Sequence, residues 1–127
     1  MIVTRLADLL GTDRDVRGPV WASRRFLLAE DGAGFSLTET TVEAGAEQVI
    51  WYKHHVEANY VIEGTGEVEN LATGEVHPLA PGTMYTLDKH ERHRLTAFTQ
   101  MRIVCVFLPP LTGRETHDAD GAYTPPE

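Results

Sequence analysis

The chain has 127 residues, 42% hydrophobic and 24% charged, with a net charge of −8 and a single cysteine. That length suits one domain around one core, and no apolar run approaches the roughly 20 residues of a membrane helix. The acidity argues against a nucleic-acid surface, which needs clustered Lys and Arg, and the lone Cys105 excludes an internal disulfide or a cysteine-cluster metal site.

From the N-terminus, Met1-Ile-Val-Thr-Arg-Leu6 has no basic stretch leading into an apolar one, which predicts a cytoplasmic protein. Long amphipathic helical periodicity is absent, and strands account for the pattern better. Trp21 to Leu28 is a short apolar-polar segment closed by the turn-forming Asp31-Gly-Ala-Gly34. Phe35 to Val42 alternates in steps of two, as in a half-buried strand, and Ala44-Gly-Ala46 turns the chain. Val49 to His55 and Ala58 to Ile62 are strand-like, and Gly64-Thr-Gly66 leads tightly into Glu67 to Asn70. After Thr73-Gly74 comes Glu75 to Leu79, where Pro78 predicts a strand end rather than a central rung. Thr83 to Leu87 and His93 to Phe98 follow, and then Met101 to Leu108, an apolar run that reads as buried. Pro109-Pro110 stops it, and Leu111 to Glu127 is a polar tail. About eight or nine short strands with turns between them predict a single all-β domain, a sandwich or a barrel with its ligand site at the mouth.

Two glycine-anchored segments carry the chemistry: Glu57-Ala-Asn-Tyr-Val-Ile-Glu-Gly64 and Gly82-Thr-Met-Tyr-Thr-Leu-Asp-Lys-His-Glu-Arg-His93. Their spacings, Glu-x6-Gly and Gly-x10-His, resemble the two metal-site motifs of the cupin barrels. The first cupin motif normally has a His-x-His pair three or four residues before the glutamate. Here those frames fall on Trp51/Lys53 or Ile50/Tyr52. A barrel of this kind has either lost its metal or rebuilt the site. Outside that frame, Glu57 is a carboxylate in an apolar-aromatic strand, where burial without a partner is costly. His93 lies in a polar run that suits a solvated turn, and Tyr85 suits a core aromatic.

A longer ordered set resembles one cupin family, the ectoine synthases. It comprises Trp21-Ala-Ser-Arg-Arg25, Trp51-Tyr-Lys-His-His-Val-Glu57, Asn70-Leu-Ala-Thr-Gly-Glu-Val-His77, Pro81-Gly-Thr-Met-Tyr85, Asp88-Lys-His-Glu-Arg-His93, Cys105-Val-Phe-Leu-Pro-Pro110 and Thr112-Gly-Arg-Glu-Thr-His-Asp118. The resemblance implies a jelly-roll barrel with a tail, residues 112–127, over its mouth. It also implies that Glu57, Tyr85 and His93 bind a divalent metal, iron(II) first, so that Tyr85 replaces the missing imidazoles. Such an O/N ligand set suits Fe, Mn or Zn, and three protein ligands leave positions open for substrate. Tyr85 and His93 are an even number of residues apart, which permits the same face on a continuous strand.

The implied reaction cyclises N-γ-acetyl-L-2,4-diaminobutyrate to ectoine with loss of water, as a carbon-oxygen lyase of compatible-solute biosynthesis. Trp21, Arg25, Thr40, Cys105 and Phe107 would contact substrate, with Arg25 suited to the carboxylate through its planar fork. Tyr52, His55, Glu115 and His117 would supply acid-base chemistry, the last two from the tail. Each has a plainer reading: Trp21, Cys105 and Phe107 as core packing, Arg25 as a solvated charge, the tail as a solvated end. Tyr52 and His55 are an odd number apart, so both face inward only across a bulge. His55 shares parity with Glu57 and suits an orienting role, whereas His54, His77 and His90 read as surface or packing residues. Thr38 is assigned no role. A homodimer is implied, and no nucleic acid or membrane partner. Two other classes stay open on the residues alone: a non-catalytic cupin that binds a small zwitterion, and another iron-dependent cupin enzyme.

Overall fold

The computed structural model describes residues 1–115; the predicted site residue His117 lies outside them. Ten strands follow in chain order: β1 (Asp15–Arg17), β2 (Trp21–Leu27), β3 (Ser36–Val42), β4 (Glu47–Ile50), β5 (Val56–Glu63), β6 (Gly66–Asn70), β7 (Val76–Leu79), β8 (Met84–Leu87), β9 (His93–Ala97) and β10 (Met101–Leu108). A one-turn helix, α1 (Leu6–Leu9), and a 3-10 turn, Ala29–Asp31, complete them. The strands form a six-stranded sheet in the order β1-β2-β3-β10-β5-β8 and a four-stranded sheet in the order β4-β9-β6-β7. The expected all-β fold is the one the chain adopts.

Strand β10 organises the larger sheet, since it pairs antiparallel with both β3 and β5. Met101, Ile103, Cys105 and Phe107 are buried, while Arg102, Val104 and Val106 are half-exposed and Leu108 is exposed. A run that reads as wholly buried is therefore buried on one face only, which is how a strand between two layers and solvent behaves. Its inner face meets Val42, Val61, Leu95 and Ala97 in one core. Burying each large aliphatic side chain there contributes about 1.5–3 kcal/mol.

Three expectations need correction, and two short elements go unpredicted. Residues 51–55 leave the ladder, so the segment read as one strand from Val49 to His55 is β4 followed by an irregular connection into β5. Helix α1 and strand β1 carry too short a pattern to register in the sequence. Pro78 sits inside β7 opposite Glu67, tolerated because β7 is an edge strand and needs no amide donor on its outer side. The polar tail begins later than expected: Leu111 is 1% exposed in the core, and its carbonyl accepts a hydrogen bond from the Ala29 amide at 2.7 Å.

The glycines of the two motifs differ in what they permit. Gly64 has φ +86°, and an added Cβ would strike the Gln100 carbonyl oxygen and the Met101 backbone, where neither can yield. Gly82 has φ +92° but open space around it. Gly64→Ala is therefore expected to cost well over 2 kcal/mol, from backbone strain plus collision, and Gly82→Ala only about 1–2 kcal/mol from strain alone. Urea denaturation midpoints of the two proteins check the order.

Candidate active site

Register arranges the inner face of the six-stranded sheet into rows. One row runs Arg25, Thr38, Cys105, Asn59 and Tyr85 across β2, β3, β10, β5 and β8. A neighbouring row holds Ser36, Phe107, Glu57 and Leu87, and another holds Ser23, Thr40 and Ile103. From the facing sheet, β4 and β9 contribute Gln48, Ile50, His93 and Leu95. Glu57, Tyr85 and His93 line a single cavity between the sheets, together with Trp21, Thr38, Thr40, Tyr52, Asn59, Cys105 and Phe107.

The three predicted ligands come together by a route that strand parity does not describe. Tyr85 lies on β8 of the larger sheet and His93 on β9 of the smaller one, with a loop between them. They share a cavity because the two sheets face each other. Tyr85 and His93 also line a second cleft, with Asn70, His77, Thr83 and Met84, between the edge strands β7 and β8.

Burial governs the electrostatics. The Glu57 carboxyl is pushed up to about 7 by burial, against a hydrogen bond from Asn59 Nδ2 to Oε1 of 2.9 Å that lowers it. Burial, then the nearby Glu57, raises the Tyr85 phenol well above its ordinary range. Burial depresses the His93 imidazole. Its Nδ1 lies 3.1 Å from the Glu91 carbonyl, which only accepts, so Nδ1 carries the proton and Nε2 keeps its lone pair. Burial and Glu57 also raise the Cys105 thiol, which stays protonated beside Thr40, with Sγ and Oγ1 3.6 Å apart.

Among the predicted substrate contacts, Trp21, Thr40, Cys105 and Phe107 line the cavity and Arg25 does not. Arg25 is 5% exposed, and its Nη1 donates to the Gly113 carbonyl at 3.2 Å, at the start of the tail. Tyr52 lines the cavity, whereas His55 lies behind it, fully buried. Both rings stand nearly perpendicular to that of Phe107, at centroid distances of 5.3 and 6.0 Å. No bulge is needed, because residues 51–55 are not a strand. Burial lowers the His55 imidazole, and the charge of Glu115 opposes that. Burial would raise Glu115 itself, but hydrogen bonds from the Thr112 and Gly113 amides, 2.7 and 2.9 Å, outweigh it and keep the carboxyl low.

Sequence reasoning missed two residues. Asn59 shares parity with Glu57, the same signal that singled out His55, but a polar residue in a strand drew no notice. His90 reads as a surface or packing residue, yet it has φ +55°, the only positive φ among the described non-glycine residues. Its Nδ1 lies 3.0 Å from the Tyr52 carbonyl and 3.2 Å from that of His55, and its own carbonyl accepts from Trp51 Nε1 at 2.8 Å. One exposed histidine thus clamps the connection that delivers Tyr52.

The family model for ectoine synthase matches residues 1–127. The chain belongs to the ectoine synthase family. The L-ectoine synthase of Desulfatibacillum aliphaticivorans is 58% identical over 125 residues, 97% of this chain and 96% of that relative. That of Shouchella clausii is 53% identical over 127 residues, 100% of this chain and 95% of the relative. The crystal structure of ectoine synthase from P. lautus, 55% identical, superposes with a TM-score of 0.90 over 95% of this chain and 87% of that one. An RmlC-like cupin from Shewanella frigidimarina, 20% identical with a TM-score of 0.63 over 75% of this chain and 81% of that one, shows the same cupin fold.

The raised Glu57 has a consequence for stability in this ectoine synthase family member. Below about 4.5, its ordinary value, the group is protonated in both folded and unfolded chains and costs nothing. Between 4.5 and about 7 the folded chain holds a proton that the unfolded chain releases, so stability falls as pH rises. Above that window the penalty is complete, roughly 3 kcal/mol. In metal-free protein, Glu57→Gln is therefore expected to gain stability over the unsubstituted chain across this window and then hold level. Denaturant titrations of both proteins at several pH values check it, and a pH-independent difference would contradict it.

Proposed function

We propose that this cavity is where the chain performs its family's reaction, the cyclisation of N-γ-acetyl-L-2,4-diaminobutyrate to ectoine with loss of water. We propose further that Glu57, Tyr85 and His93 hold a divalent metal there, iron(II) first. The observation that carries this is one carboxylate, one phenol and one imidazole converging on a cavity that no Lys or Arg lines among the described residues. Among the described residues no three His, Cys, Asp or Glu side chains cluster, so a centre here depends on the tyrosine. The residues fit a cation. Glu57 is buried and held towards its protonated form, and a positive charge would restore the ionised one. His93 presents Nε2 with its lone pair, because Nδ1 is tied to a carbonyl. When bound, the metal supplies Lewis acidity to an amide oxygen, which makes the acetamide carbon a better electrophile.

The protein's own groups account for the rest. Trp21 and Phe107 offer apolar faces to the methylene chain and acetyl methyl, while Thr40 and the neutral Cys105 thiol offer small polar contacts. Folding a flexible chain into a ring is largely a matter of orientation, worth roughly 7 kcal/mol or more. The attacking amine must be neutral and the departing oxygen must take up protons. His55, buried outside the cavity lining, is kept neutral, and Glu115, whose charge reaches it, is kept ionised, so the pair would accept a proton passed outward from the cavity rather than touch the substrate itself. Tyr52 stands between Phe107 and His93 with its ring in the cavity. Arg25 acts by holding Gly113, hence the start of the tail, against the barrel. His117 completes the acid-base set in this reading. A cytoplasmic homodimer belongs to the same proposal; among the described residues no helix is long and apolar enough to cross a membrane.

Glu57→Ala and His93→Ala are expected to lose iron and cyclisation together, with turnover down about 10³-fold or more, while far-UV dichroism shows the barrel intact. Conversion is followed by mass spectrometry as loss of one water. Turnover at the unsubstituted rate by either protein after metal stripping would overturn the assignment.

A further inference from the structure

We propose that Asn59, directly opposite Tyr85 on the neighbouring strand, is a positioning residue for the metal-binding wall, its side-chain amide fixing the Glu57 carboxylate. The proposal rests on the reading that Glu57, Tyr85 and His93 hold a metal.

Three observations converge on this side chain. Asn59 is 3% exposed, and its Nδ2 donates to Glu57 Oε1 at 2.9 Å, with both groups buried. The two are alternate residues of β5, so the pleat places them on one face and next to each other. Register then sets Asn59 between Cys105 of β10 and Tyr85 of β8, each directly opposite it. Directly opposed residues bring their Cβ atoms to about 4.5–5.5 Å. Asn59 is thus a bonded neighbour of one proposed ligand and a cross-strand neighbour of a second.

Packing does not call for an amide here. The next inward residue of β5 is Val61, wholly buried, and the adjoining inner positions of β10 are Ile103 and Phe107. An aliphatic side chain would fill the place, and burying an amide costs about 1–3 kcal/mol without a partner. Its hydrogen bond to a carboxylate offsets that cost only because Glu57 is there. The amide therefore serves the carboxylate. By engaging Oε1 it fixes the plane of the group, and Oε2 is left for the cation. Partners that orient metal ligands in this way typically alter metal affinity 10–100-fold when removed.

The experiment uses the full chain, stripped of metal and titrated anaerobically with Fe(II), and separately with Co(II), whose visible absorption reports ligand geometry. Asn59→Leu keeps the shape and removes the donor. It is expected to weaken Fe(II) binding about 10-fold or more and to shift the Co(II) bands. The melting temperature of the metal-free protein should stay within about 4 °C of the unsubstituted chain. Asn59→Val, smaller and well suited to a strand, repeats the comparison if the first protein does not fold. Unchanged Fe(II) affinity with an unchanged Co(II) spectrum would overturn the proposal. So would a metal-free melting temperature that falls far enough to explain the lost binding, since the role would then be structural. Failure of the unsubstituted chain to bind one Fe(II) per chain would instead overturn the metal reading itself.

Discussion

The structure depends on one costly arrangement: a carboxylate, Glu57, buried between two sheets with no Lys or Arg among the described residues lining its cavity. Moving an ionised carboxylate out of water is expensive enough that the group takes up a proton unless charge or hydrogen bonds are supplied. Here the supply from protein is one amide, that of Asn59. The neighbouring groups feel the same field. Tyr85 and Cys105 are both pushed towards their neutral forms, first by burial and then by Glu57. Among the described residues, a cavity lined by a reluctant carboxylate, a reluctant phenol and a neutral imidazole lacks positive charge, which the proposed metal ion would provide.

Holding that arrangement requires a rigid frame, and the frame is cheap where the site is costly. Strand β10 lies between β3 and β5, so Cys105 and Phe107 sit in register with Thr38 and Ser36 on one side and Asn59 and Glu57 on the other. Its alternation gives a core face of Met101, Ile103, Cys105 and Phe107 and an outer face that includes Arg102, bonded to Glu39 at 2.9 Å and Glu63 at 2.8 Å. The pair with exposed Glu63 adds little stability and the pair with Glu39 is part-buried, whereas the apolar buried face adds most of the stability. The apolar core packed around the Glu57–Tyr85 wall, Val42, Val61, Leu95, Ala97 and Ile103 among it, offsets what its polar groups cost. The irregular connection at 51–55 needs its own support, which His90 gives through two backbone carbonyls.

Much of this was legible in the chain because cupin motifs encode backbone geometry as well as chemistry. Gly64 closes the first motif where an added Cβ would meet Gln100 and Met101, at the turn from β9 into β10, so the glycine of the motif marks a close approach of two chain segments. Glu57 and His93 are found from the same frames, and Tyr85 only from the wider resemblance. Parity served within strands and failed between them: it links Glu57 to Asn59, but says nothing of Tyr85 and His93, which sit on opposite sheets. It does not apply at Tyr52 and His55, because a segment of β-forming residues leaves the ladder to enter β5. Long-range contacts were illegible altogether. Nothing local to Arg25 reports that its guanidinium reaches Gly113, and nothing local to His90 reports its grip on Tyr52.

The start of the tail shows how the mouth is tied to the core. Leu111 is buried in the main cluster and lines the cavity, and its carbonyl receives the Ala29 amide. Gly113 is held by Arg25, and Thr112 and Gly113 both donate to Glu115, whose charge reaches His55. Arg25 shares a cross-sheet row with Cys105, Asn59 and Tyr85. The sheet that builds the ligand wall therefore also anchors the segment beside the proposed base. A strand displaced by one residue would turn both away together, since each row depends on the same register. The proposed metal wall and the proposed acid-base pair are in this sense one structural unit, set by how β2, β3, β10, β5 and β8 are aligned.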